Sequence, residues 1–120
     1  MQKILIADDY EDNADVFKLI LETEGYQTKI VHNGLNILKE VEDYQPALIL
    51  LDVQLGESDG MLISRLIRNS ARLKHIKIIL TSAGLTAQTI TKIPYRHYDN
   101  FLAKPFDITD LTNMVSSLLR

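Results

Sequence analysis

Residues 47–52 read ALILLD, five apolar side chains closed by a carboxylate. A continuous apolar run this short fits a strand covered on both faces, as in a parallel sheet flanked by helices. A charge placed directly after such a run is costly unless it is exposed or paired. Working outward, the same construction recurs. Residues 3–9 read KILIADD, residues 77–81 read KIILT and residues 100–104 read NFLAK. In an open parallel sheet the carboxyl ends of the strands share one rim, and ligands bind in the crevice outside it, where strand order reverses. Asp8, Asp9, Asp52 and Lys104 are therefore expected to meet in one cleft. Carboxylates so gathered raise each other's pKa unless a cation sits among them, which points to an oxygen-ligated divalent metal.

The remaining pattern is that of an α/β chain. Short apolar runs alternate with amphipathic stretches five times, which argues for a βα repeat and a parallel sheet rather than a sandwich. Strands are predicted at Lys3 to Ala7, Gln27 to Val31, Ala47 to Leu51, Lys77 to Thr81 and Asn100 to Ala103. The first, third and fourth belong at the centre, and the more polar QTKIV at an edge. Helical stripes are predicted from Val16, Phe17, Ile20 and Leu21, closed by Gly25 as a C-terminal cap. Leu35, Leu38 and Val41 outline a second helix before Pro46, and Met61, Leu62, Leu66 and Ile67 a third. The last runs from Ile108 to Leu119 with Ile108, Leu111, Val115 and Leu118 on one face and Asp107 or Thr109 available as cap. Between Leu85 and Tyr98, the threonines and Pro94 predict a short or irregular fourth helix.

A length of 120 residues matches one domain with a single core. With no cysteine there is neither a disulfide framework nor a thiolate metal site. No apolar run approaches the roughly 18 residues of a membrane span. The expectation is a soluble, unexported, cytoplasmic protein. A net charge of −3 with dispersed Lys and Arg offers no footprint for direct nucleic acid binding.

With the Asp8-Asp9 pair, Asp52, Asp59-Gly60, Thr81 and Lys104-Pro105-Phe106 standing in this order at strand ends, the whole chain resembles the receiver domains of bacterial two-component response regulators. The resemblance implies a doubly wound, flavodoxin-like sheet of five parallel strands in the order 2-1-3-4-5 with five helices, one receiver domain spanning residues 1–120. It implies that Asp52 accepts a phosphoryl group from a histidine kinase or histidine phosphotransfer protein. Mg²⁺ is the implied cofactor, held by Asp8, Asp9, Asp52 and the backbone carbonyl of Gln54, since it favours octahedral oxygen ligands and keeps exchangeable waters. Lys104 and Thr81 would contact the phosphoryl group, with Ser82 beside it. Thr81 and Phe101 would form the switch. Lys104-Pro105 is the implied cis peptide. Such a domain is a signalling phosphoacceptor, catalysing only its own phosphorylation and dephosphorylation.

Each motif also has a plainer reading. Asp8 and Asp9, with Glu11 and Asp12, suit a helix amino terminus, worth about 0.3–1 kcal/mol each. Asp52 alone is ordinary strand-end chemistry, Thr81 an ordinary strand-end residue, and Lys104 a solvated loop cation. His32, His75 and His97 have no ligand-like spacing. Tyr95 and Tyr98 read as packing residues rather than a contact surface. A flavin carrier is disfavoured because Asp8 and Asp9 would repel phosphate, and an Asp-x-Asp hydrolase because the acids are adjacent. A phosphorylation-independent interaction module stays open. Departures from the family pattern support it: Gly56 where Pro is common, predicting a looser loop; Ser82 where a smaller residue is usual; TKIPYRHYDN before the fifth strand; and Phe101, which lacks a hydroxyl.

Overall fold

The structure is a computed structural model and describes residues 1–83 and 97–120. Its elements, in chain order, are β1 (Lys3–Ala7), α1 (Glu11–Thr23), β2 (Gln27–Val31), α2 (Ile37–Tyr44), β3 (Leu48–Asp52), β4 (Gln54–Leu55), β5 (Ser58–Asp59), α3 (Gly60–Arg68), β6 (Lys77–Ser82), β7 (Asn100–Ala103) and α4 (Ile108–Leu118). Five of these strands form one parallel sheet in the order β2-β1-β3-β6-β7, the predicted doubly wound order. Most of the predicted fourth helix, with Tyr95, lies outside the described residues, among which there are four helices.

Alternation along the strands builds two cores. Ile4, Ile6, Leu48, Leu50, Ile79 and Leu102 face α1 and α4, where Phe17, Leu21, Leu111 and Val115 complete the packing. Leu5, Ala7, Ile49, Leu51, Ile78 and Leu80 face α2 and α3. Every residue of β3 is buried, whereas β2 is only half-buried, as an edge position requires. Each buried Leu or Ile contributes about 1.5–3 kcal/mol, so the two-sided central strands carry most of the sheet's stability.

The helices differ from expectation in the faces they bury. In α1 the buried residues are Ala14, Phe17 and Leu21, and Val16 is exposed. α2 turns Ile37 and Val41 inward and leaves Leu35 and Leu38 exposed. α3 buries Ile63, Ser64 and Ile67 rather than Leu62 and Leu66. Ile108 is exposed at the start of α4, where Asp107 is the N-cap residue without a side-chain capping bond. In α1, α2 and α3 the sheet selects one column of neighbouring apolar residues; Leu35 lies before α2, and Ile108 is the first residue of α4, ahead of the buried Leu111 and Val115. Gly25, with φ +96°, follows the C-cap residue Glu24 in the left-handed conformation predicted for it. Tyr98 is buried in the core beside α2 and α3.

β3 ends at Asp52 and not Leu51, because Asp52 still pairs in register with Thr81; β6 likewise extends to Ser82, which pairs with Ala103. After Asp52 the chain forms a small antiparallel hairpin, β4–β5, pairing Gln54 with Asp59 and Leu55 with Ser58. Its two-residue turn is Gly56-Glu57, with Gly56 at φ +60°. A glycine at the first central position is the requirement of a type II′ turn, whose twist matches the strands it joins. A proline is locked near −65° and cannot stand there. The segment read from the sequence as a loop pairs as a hairpin.

Candidate phosphoacceptor cleft

β1 and β3 are neighbours with Ala7 paired to Leu51, so the next residues, Asp8 and Asp52, emerge side by side. Thr81 is the following rung, paired with Asp52. Lys104 comes in from the far side: its backbone N–H donates to the Ser82 carbonyl (2.9 Å), and the Lys104–Pro105 peptide bond is cis. The Lys104 Nζ then donates to both Asp8 Oδ2 (2.8 Å) and Asp52 Oδ2 (2.9 Å). The three side chains are 11 %, 1 % and 12 % exposed, so water screens this pairing little. The other oxygens are engaged too. Asp8 Oδ1 accepts the Tyr10 N–H (2.9 Å) and Asp52 Oδ1 the Gln54 N–H (3.0 Å). Asp9 is exposed, and its Oδ2 accepts the Gly56 N–H (3.1 Å) from the hairpin turn.

These groups open on a cleft of about 630 Å³ lined by Asp9, Asn13, Asp52, Val53, Gln54, Ser82, Ala83 and Lys104. One carboxylate oxygen each from Asp8, Asp9 and Asp52 lies within 4.8 Å of the others, a separation a single hard cation can span. Three acids against one ammonium leave a local excess of two negative charges, which favours a divalent cation over a second ligand anion. Burial pushes the Asp52 carboxyl above its ordinary value, with the Asp8 carboxylate adding to the effect; the Lys104 ammonium and the Gln54 N–H work against it and lose. Burial pushes Lys104 downward, but its hydrogen bonds to Asp8 and Asp52 outweigh that and hold it above its ordinary value.

Of the residues singled out from the sequence, Asp8, Asp9, Asp52 and Lys104 converge, and Gln54 and Ser82 line the same cleft. Thr81 is buried beside Asp52, and its carbonyl accepts the Val53 N–H (2.9 Å). Phe101 is not in the cleft: it is half-buried on the edge strand and packs toward the α2 and α3 side. Asn13 escaped the strand-end pattern, whereas His32 and Gly60 were visible in the sequence and only their contacts are new. Asn13 lines the mouth four residues after Asp9, on the first turn of α1. His32 Nδ1 lies 3.2 Å from the Asp8 carbonyl. Gly60 packs so tightly under β3 that a Cβ there would sit 2.1 Å from the Asp52 carbonyl oxygen. Asp59 caps α3 by accepting the Met61 N–H (2.9 Å), which starts the helix with Gly60 against Asp52.

Comparison with known proteins agrees with this geometry. The family model of the response regulator receiver domain matches residues 4–116. The chain is 27% identical over 118 residues to the polar-differentiation response regulator DivK of Brucella anthropi, covering 98% of this chain and 96% of that protein. The crystal structure of the signal receiver domain of a signal transduction histidine kinase from Syntrophus aciditrophicus superposes with a TM-score of 0.88 at 31% identity, covering 99% of this chain and 90% of that one. The receiver domain of a sensor histidine kinase from Pseudomonas aeruginosa, solved with a magnesium ion coordinated in its active site cleft, gives a TM-score of 0.84 at 26% identity, over 98% of this chain and 97% of that one. A rim of strand-end acids with a lysine reaching across it, on a sheet of this order, thus has a family to go with it: the chain belongs to the response regulator receiver domains of two-component signalling.

Proposed function

We propose that Asp52 is the phosphoacceptor, taking a phosphoryl group from a phosphohistidine on a histidine kinase or histidine phosphotransfer protein. The P–N bond to the donor imidazole breaks as a P–O bond to the Asp52 carboxylate forms, and the imidazole leaves with its electron pair. Hydrolysis of the acyl phosphate returns phosphate and the free carboxylate, so the protein catalyses only its own loading and resetting. The observation that carries this reading is the Lys104 ammonium held against Asp52 and Asp8 inside the cleft. A compact cation there meets the charge on the phosphoryl oxygens, and phosphoryl transfer asks of a protein mainly positioning and neutralisation.

The donor set fits Mg²⁺. Asp9, Asp52 and the Gln54 carbonyl would hold it, with Asp8 facing it through water because Asp8 is buried behind the cleft and, unlike Asp52, does not line it. Bound there, the ion offsets negative charge on the phosphoryl group. Thr81 and Ser82 supply hydroxyls beside Asp52, and Phe101 is the aromatic partner of a switch in which one new charge biases a two-state equilibrium. Tyr10, Val16 and Leu19, exposed on and before α1, the helix whose first turn carries the cleft residue Asn13, provide an apolar surface for the donor protein. The setting for such an exchange is the cytoplasm; among the described residues no helix is long and apolar enough to cross a membrane.

Intact-mass measurement after incubation with acetyl phosphate and Mg²⁺ tests the assignment. The wild type is expected to gain one phosphoryl group and Asp52→Asn none. An unmodified wild type would favour a phosphorylation-independent interaction module on the same fold.

A further inference from the structure

Lys104 is useful only if its ammonium is aimed, yet it stands at the end of an edge strand. Two anchors flank it. On one side its own N–H is bonded to the Ser82 carbonyl, the last rung between β6 and β7. On the other, two residues on, the Phe106 ring lies flat against Phe17 with centroids 4.9 Å apart and planes within 7° of parallel. Phe17 is buried on the inner face of α1, whereas Phe106 is half-buried and also borders the open groove along α4. A half-exposed ring gains less from burial than a core one, so the stack is the feature that accounts for an aromatic residue here. It also joins two parts of the cleft that no strand pairing connects: α1, which begins just after Asp8 and Asp9, and the segment carrying Lys104.

We propose that Phe106 is a positioning residue for the phosphoryl transfer reaction, its stack on Phe17 pinning the 104–106 segment to α1 so that the Lys104 ammonium stays between Asp8 and Asp52. This rests on the reading of Lys104 as a phosphoryl contact. The ring is not part of the lining of the cleft and acts through Lys104 alone. A leucine at 106 keeps apolar bulk but cannot hold a flat contact with Phe17. A tyrosine keeps the ring.

The experiment has two arms. Without Mg²⁺ or phosphodonor, the Lys104 ammonium, hydrogen-bonded twice and little exposed, is expected to give a slowly exchanging ¹H–¹⁵N signal in the wild type and in Phe106→Tyr, lost in Phe106→Leu. A signal that persists in Phe106→Leu overturns the proposal whether or not the protein takes up phosphate. In the second arm, acetyl phosphate and Mg²⁺ are supplied and phosphorylation is followed by intact mass. Phe106→Leu is expected to be about tenfold slower, Phe106→Tyr within twofold of wild type, and Mg²⁺ affinity by calorimetry within twofold in both. In a Lys104→Ala background, Phe106→Leu is expected to add no further loss. Multiplying losses, or a wild-type rate in Phe106→Leu with only a lower melting temperature, would make the ring purely structural. Failure of the wild type itself to load would strike the function above and leave the first arm standing.

Discussion

Asp52 combines three demands on one side chain: it ends a fully buried strand, it faces another acid, and it must stay reactive. Burial is the largest influence on its carboxyl and raises its pKa. A carboxyl whose pKa is higher folded than unfolded stabilises the fold below the unfolded value and loses that contribution as pH rises through the folded one. Near neutrality the Asp52 charge therefore costs stability. Asp52→Asn is isosteric and leaves Lys104 paired with Asp8, so it avoids the stranded charge that usually follows removal of one buried partner. We expect it to be as stable as wild type or more so at pH 7 in chelator, with the advantage shrinking as pH falls toward the ordinary carboxylate range. Urea titrations across pH measure this, and a mutant markedly less stable at pH 7 would contradict it. Gly60 shows the opposite case, a residue mattering through what it lacks. Alanine in place of glycine favours a helix by up to about 1 kcal/mol. Here its Cβ would meet backbone 2.1 Å away, so overpacking wins, and Gly60→Ala should destabilise by about 2 kcal/mol and slow phosphorylation as Asp52 shifts.

Among elements, the β4–β5 hairpin is the one the sequence hides. Two strands of two residues carry no detectable period, and the turn signal is a single glycine. Glycine suits position 56 by its φ of +60°, and its backbone N–H, which any residue but proline would also offer, bonds to Asp9. An added Cβ meets nothing within 4 Å, so Gly56→Ala pays only the left-handed backbone penalty, about 1 kcal/mol. Gly56→Pro forbids the angle and removes the donor, and should cost about 2–3 kcal/mol. Equal denaturation midpoints for the two variants would show that the turn does not hold this shape. The helices teach a related lesson. Leu62 and Leu66 lie at helical spacing, yet α3 buries Ile63 and Ile67, one position on. Period alone identifies a helix, but its rotation about its axis is decided by the sheet beneath.

For the whole molecule, metal binding and stability are linked. A ligand that binds only the folded chain stabilises it by about 2.7 kcal/mol at a hundredfold excess over its dissociation constant. In a domain of this size that is a rise in melting temperature of roughly 8–12 °C. Mg²⁺ is expected to produce such a rise in wild type, a smaller one in Asp52→Asn, and very little in Asp9→Ala, read by thermal denaturation. A rise of the same size in all three would place the ion elsewhere. The sequence by itself determined the five parallel strands, the central and edge positions within them, the placing of Gly25, and the four charges at one rim. Those follow from short-range pattern, because alternation and the polarity change at each strand end are local. Only the tertiary structure decided which helical column turns inward, that Gly56 closes a hairpin on Asp9, that Gly60 must lack a side chain beneath Asp52, and that Phe106 lies on Phe17. Each depends on what a residue meets across distant stretches of chain, and contact at that range leaves no period in the residues that make it.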